Sequence, residues 1–159
     1  PVPLDDQSLL IASGYDQGGA RLRVTRQDAQ WKAETQWTTR RFHLKFNAPI
    51  VRDGFAYGLD EGILECISLT DGQMKWKKGR YGYGQMVLVG EMLVVQTEQG
   101  DVAIVKANPD RFEEVTRIPA LNGKTWNHPV VCRDLLLVRN AEEAVCFRLS
   151  TIQSATQGN

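Results

Sequence analysis

The chain has 159 residues, 42% hydrophobic and 24% charged, with 19 Lys plus Arg against 19 Asp plus Glu and a formal net charge of zero. This is about one average globular domain, so disorder, a collagen-like repeat and a small disulfide scaffold are excluded. Zero net charge argues against general nucleic-acid or anionic-membrane binding, and apolar runs stop at about five residues, such as Leu135 to Val138, where a spanning helix needs about 20. The N-terminus begins at Pro1 without a charged-then-apolar secretion pattern, as expected of a processed protein or an excised fragment.

Short runs rich in Val, Ile, Leu, Tyr and Phe, bounded by Gly, Asp and Asn, predict strands and turns throughout. The first copy of the pattern starts at Ser8 to Ser13, breaks at Gly14 to Gly19, resumes at Ala20 to Thr25 and closes near Trp31 to Trp37. A second runs through Ala48 to Val51, a turn at Asp53-Gly54, Phe55 to Tyr57, Ile63 to Leu69 and Gln73 to Trp76. A third follows at Gln85 to Val89, Met92 to Thr97 and Asp101 to Lys106. Next, Asn108-Pro109-Asp110 suggests a turn of helix within Asn108 to Thr116. A fourth copy spans Pro129 to Cys132, Leu135 to Arg139 and Ala144 to Leu149, with no closing strand.

The second strands centre near Leu10, Ala56, Leu93 and Leu136, spaced by 46, 37 and 43 residues. Four strands per repeat at that period predict an all-β fold, a β-propeller of about four blades near 1–44, 45–80, 81–121 and 122–150. The tail 151–159 is expected to be flexible or to close a ring. Continuously apolar strands fit blades packed on both faces. The three cysteines, Cys66, Cys132 and Cys146, form no Cys-x-x-Cys and are expected to be unbridged, buried small hydrophobes.

The run Cys66-Ile67-Ser68-Leu69-Thr70-Asp71-Gly72-Gln73-Met74-Lys75-Trp76 resembles the Ala-x-Asp-x-x-Thr-Gly-x-x-x-Trp pattern of bacterial pyrroloquinoline-quinone-like (PQQ-like) propeller repeats. Gly72 and Trp76 match in type and spacing, whereas Cys66, Ser68 and Asp71 depart from it; Trp37 is similar to the same docking residue one blade earlier. Val115 and Ile118 stand where the third copy would carry its tryptophan. The resemblance covers roughly residues 7 to 150. It implies tryptophans docking between blades and, because eight blades are usual in that family, half a ring completed by a second copy or by remaining blades. It also implies a bacterial periplasmic or extracellular setting.

The quinoprotein enzymes similar in repeat pattern carry adjacent cysteines over the quinone and a calcium held by Glu, Asn and Asp. No adjacent cysteines occur here, and the carboxylates are scattered on turns, Asp60-Glu61 being the densest spot. No catalytic residue, metal or cofactor is therefore expected; PQQ and calcium belong only to the alternative, a piece of a quinoprotein oxidoreductase whose active-site residues lie elsewhere. A hydrolytic propeller is less favoured still, with two histidines, His43 and His128, and no Gly-x-Ser-x-Gly elbow. The first expectation is a non-catalytic scaffold or recognition module for a protein, peptide or small ligand, because a relative in the outer-membrane barrel-assembly machinery is such a non-enzyme. Binding residues are expected where first strands begin at the channel mouth: Asn47, Tyr83, Gln85, Trp126, Asn127 and His128. The cluster Arg40, Arg41, His43 and Lys45 is expected to be a solvated face, and Gly79 to Gly84 a crossover between blades rather than a phosphate loop.

Overall fold

The computed structural model describes residues 1–149. These residues form fifteen strands: β1 Val2–Asp5, β2 Ser8–Ser13, β3 Gly18–Gln27, β4 Gln30–Thr39, β5 Ile50–Arg52, β6 Phe55–Asp60, β7 Ile63–Ser68, β8 Met74–Arg80, β9 Gln85–Val89, β10 Met92–Gln96, β11 Asp101–Lys106, β12 Glu114–Pro119, β13 Val130–Cys132, β14 Leu135–Arg139 and β15 Ala144–Arg148. They assemble into four antiparallel sheets, β1 to β4, β5 to β8, β9 to β12 and β13 to β15, each with its strands side by side in chain order. Among the described residues there is no helix. This is the all-β propeller architecture, with four blades.

Local chemistry sets the hairpins. Asp53 (φ 48°) with Gly54 (φ 82°), and Glu61 (φ 49°) with Gly62 (φ 80°), place two successive residues in the left-handed region. That is the two-residue turn whose twist matches flanking antiparallel strands, which pair directly as Arg52 with Phe55 and Asp60 with Ile63.

Between the second and third sheets lie Tyr57, Leu59, Leu64, Cys66, Trp76, Met86, Leu93 and Val95, all buried. Leu10, Phe42, Leu44, Ala56, Ile67 and Leu69 fill the space between the first and second sheets. Val94, Val102, Leu121, Leu136 and Val138 join the third to the fourth. The first strands of the second and third sheets, β5 and β9, approach each other, so these two sheets converge along that edge.

The outer strands are latched by tryptophan. Trp37 of β4 donates its indole N–H to the Leu69 carbonyl of the next sheet at 2.9 Å, and Trp76 of β8 donates likewise to Asn108 at 2.9 Å. Gly72 sits under the Trp37 ring: a Cβ there would lie 2.6 Å from ring carbon Cε3, and its φ is +72°. One glycine thus makes the turn and leaves room for the preceding blade's indole.

Three expectations need correction. Asn108 to Thr116 is not helical: its first half is an irregular connection and its second half begins β12. The Asn108 side chain accepts the Asp110 N–H at 2.8 Å, a local turn that competes with helix, while the Asn108 carbonyl is taken by Trp76. The first sheet also has a strand before Ser8, β1, a short run in which Pro3 can give no ladder donor. Of the cysteines only Cys66 is buried, where desolvation pushes its thiol up to about 12 and keeps it unreactive. Cys132 and Cys146 are free and exposed, because both lie on the uncovered face of the fourth sheet.

Candidate functional site

Each crossover from one sheet's last strand to the next sheet's first strand passes over the end where the second and third strands turn. The crossovers 40–49, 81–84 and 120–129 meet the turns at Glu61 and Glu98: the Glu61 N–H donates to the His43 carbonyl, the Glu98 N–H to that of Tyr81 and the Thr125 N–H to that of Glu98. Each crossover delivers one aromatic ring to this surface, Phe46, Tyr83 and Trp126, while Phe42 and Tyr81 turn into the core. Phe46 and Trp126 stack with centroids 6.1 Å apart and planes at 21°, and Tyr83 meets Phe46 edge-on at 6.0 Å. Phe46 is 67% exposed and Trp126 51%. Two aromatic side chains left so open in one contact form an apolar platform.

Carboxylates hold the platform in shape. One oxygen of Glu98 accepts the Trp126 indole N–H at 2.9 Å, and the other accepts the Tyr83 backbone N–H at 3.1 Å. Glu61 accepts from the Tyr83 hydroxyl at 3.0 Å and from Lys45 Nζ at 3.0 Å. The Lys45 hydrogen bond, joined by the Tyr83 hydroxyl, holds the Glu61 carboxyl below its ordinary value despite partial desolvation. Lys45 Nζ also lies 5.0 Å from the Tyr15 ring centroid and 5.7 Å from that of Tyr83, and Lys124 lies 4.8 Å from that of Trp126.

Phe46 adopts φ +61°. A bulky residue in that region carries backbone strain, typically about 1–3 kcal/mol. Gln85, 3% exposed at the start of β9, donates from Nε2 to the Phe46 carbonyl at 2.5 Å and fixes that conformation.

Of the six residues expected at the mouth, Tyr83 and Trp126 enter the platform directly and Gln85 supports it from below. Asn47 spends its amide inside the fold, donating to the Lys45 and Leu59 carbonyls at 2.9 and 3.3 Å and accepting the Leu59 N–H at 3.2 Å. Asn127 faces Arg139, whose carbonyl and guanidinium lie within hydrogen-bonding reach of its amide at 3.3 and 3.1 Å. His128 is exposed in the connection just before β13. A cleft of about 380 Å³ opens beside the platform, lined by Lys124, Trp126, Asn127, Asn140 and Glu142 among others.

Phe46, Lys45, Glu61 and Glu98 were absent from the expected site. The cluster Arg40, Arg41, His43 and Lys45 is not uniformly solvated: Arg40 and Arg41 are exposed, whereas His43 and Lys45 are partly buried against Asp60 and Glu61.

A second polar group lies beneath the same crossover. Asp60, 2% exposed, accepts from Lys77 Nζ at 2.6 Å, and its other oxygen is 3.2 Å from His43 Nδ1. Glu65, fully buried, is the cross-strand partner of Gly58 and Lys77. Desolvation raises the Glu65 carboxyl to about 8, and the neighbouring Asp60 adds to the rise. Burial opposes ionisation of Asp60, but the neighbouring Glu65 and the Lys77 ammonium bonded to it outweigh that cost and hold the carboxyl down. Among the described residues no group of three or more His, Cys, Asp or Glu is arranged to hold a metal ion, and no helix is long and apolar enough to cross a membrane.

No protein-family model and no curated protein sequence matches the chain. Solved structures do. The computationally designed Ika4 protein is similar with a TM-score of 0.57 at 8% identity, over 94% of this chain and 96% of that one. BamB from Moraxella catarrhalis is similar with a TM-score of 0.53 at 15% identity, over 96% of this chain and 57% of BamB, so the chain spans little more than half of BamB's length. AztD from Citrobacter koseri, in its apo form, gives a TM-score of 0.43 at 17% identity, over 77% of this chain and 37% of AztD. At these identities the first two likenesses show the propeller fold alone.

Proposed function

We propose that the chain is a non-catalytic β-propeller scaffold of the PQQ-like repeat class that recognises a protein or peptide through the platform of Phe46, Tyr83 and Trp126. The supporting observation is that three crossovers, far apart in sequence, converge three rings while one of them, Phe46, is held open in a strained backbone by a buried glutamine. Core packing does not require that arrangement, since Phe46 and Trp126 remain largely exposed. Preorganised, exposed aromatic area at low side-chain entropy is what a recognition surface needs. A periplasmic or extracellular setting goes with this proposal.

Further blades or a second copy would complete the ring. The outer face of the first sheet presents Leu9, Ile11 and Leu22, and that of the fourth presents Val130, Leu135, Leu137 and Cys146, and among the described residues no blade lies against either.

The test is selection of displayed peptides on the chain, compared with a double variant, Phe46→Ala with Trp126→Ala. Enrichment on the parent that the double variant loses, with the fold unchanged by circular dichroism, supports the proposal. Equal enrichment on both overturns it.

A further inference from the structure

We infer that Asp60 and Glu65 share one proton, carried by Glu65 and donated to the Asp60 carboxylate, and that this proton locks the crossover that presents Phe46. Its consequence for binding rests on the proposed role of the platform; the proton itself does not.

Geometry leads to the proton. Gly58 pairs with Glu65 and Asp60 with Ile63, so Asp60 and Glu65 are diagonal neighbours on one face of the β6–β7 ladder. That face is roofed by the crossover: a Cβ on Gly58 would lie 2.6 Å from Leu44 and 2.9 Å from Phe42. Under this roof both Glu65 oxygens are shielded from solvent, and as an anion neither would find a donor. Lys77 is committed to Asp60 at 2.6 Å and stands 3.9 Å from Glu65.

A fully buried carboxylate with no donor is among the costliest groups a fold can carry, and uptake of a proton is the usual resolution. Protonated, Glu65 gains a donor, and Asp60 is the adjacent acceptor. Asp60 already receives Lys77 on one oxygen and faces His43 on the other, and a carboxylate has capacity for a further bond. The charged and titratable groups facing the pair are then accounted for: His43 and Arg41 from the crossover, Lys77 from β8 and Glu61 from the adjoining turn.

The crossover is tied to the second sheet at this same place. The His43 ring meets Asp60, the His43 carbonyl accepts the Glu61 N–H at 3.3 Å, and Leu44 bridges to Asp60. Phe46 follows two residues later. When a base in solution removes the proton, a second negative charge appears beside Asp60. Lys77 and His43 must then be redistributed between two carboxylates, and the tie that seats the crossover is weakened.

The experiment is carbon NMR of the side-chain carboxyls in the full chain, titrated with pH while the Trp126 indole and Phe46 backbone amide are followed. Glu65 is expected to titrate near pH 8, with both reporter signals moving at the same midpoint. Glu65→Gln, which keeps a neutral donor, should freeze the reporters across that range. A Glu65 carboxyl titrating in the ordinary carboxylate range overturns the shared proton, and this measurement needs no variant. Reporters that stay still while Glu65 titrates overturn the lock. Failure of the platform to bind any peptide would leave both titrations intact, so the two proposals fail separately.

Discussion

Strands β6 and β14 hold the same place in their sheets yet are buried differently. In β6 every residue after Phe55 is buried, whereas in β14 only Leu136 and Val138 are, alternating with exposed neighbours. Apolar character does not explain this: Leu135 to Val138 is the more hydrophobic run and yet the less buried. The difference is the company: among the described residues the second sheet has a sheet on each side, and the fourth has one on a single side. Continuous apolarity in a strand therefore reports how many neighbours its blade is built to have.

The largest effect should come from the two-sided core. Leu64→Ala removes a fully buried side chain between the second and third sheets and should cost about 2–5 kcal/mol in urea unfolding. Leu137→Ala on the open face, 44% exposed, should cost no more than about 0.5 kcal/mol. Equal losses would mean that the open face is covered in solution.

The buried acid comes next. Glu65 is raised in the folded state, so its contribution is fully present below the unfolded value of 4.5 and is lost as pH rises through about 8. Stability should fall across that window by up to about 1.4 kcal/mol per pH unit, and Glu65→Gln should flatten the fall. A parent curve already flat between those limits would show that Glu65 is ionised in the fold.

Smaller again is Gly72→Ala, which forces a methyl toward the Trp37 ring at positive φ and should cost about 1–3 kcal/mol. Combined with Trp37→Ala the losses should be less than additive, since the methyl would no longer meet an indole. The smallest effect on the fold, and the sharpest probe of the open faces, is Leu137→Asp followed by light scattering over a dilution series. If the outer faces of two copies pair, the parent runs at twice the chain mass and the variant at the chain mass; a parent that stays monomeric assigns the open face to further blades.

The fold was legible because its signals are local: turn glycines, strand runs and tryptophans recurring at blade spacing. The platform was only half legible. Tyr83 and Trp126 stand out as aromatics before first strands, but Phe46 becomes a partner only when crossovers about 40 residues apart converge, and Glu98 reads as an ordinary turn acid. Glu65 did leave a trace, a single acid inside Ile63-Leu64-Glu65-Cys66-Ile67. A charge within an otherwise unbroken apolar strand marks a buried group needing a special partner. The expected turn of helix at Asn108 failed for the opposite reason: its local signal was real, but Trp76 claimed the carbonyl.

The fit of Trp37 over Gly72 also has a direction in time. The indole is made first, and the turn that seats it is made about 35 residues later, about 2 to 7 s of synthesis at ordinary rates of elongation. For that interval the newborn first blade offers a large aromatic surface to whatever stands at the ribosome exit, and Trp76 repeats the exposure until the connection at Asn108 emerges. Blade by blade, the chain hands its own successor the task of a chaperone.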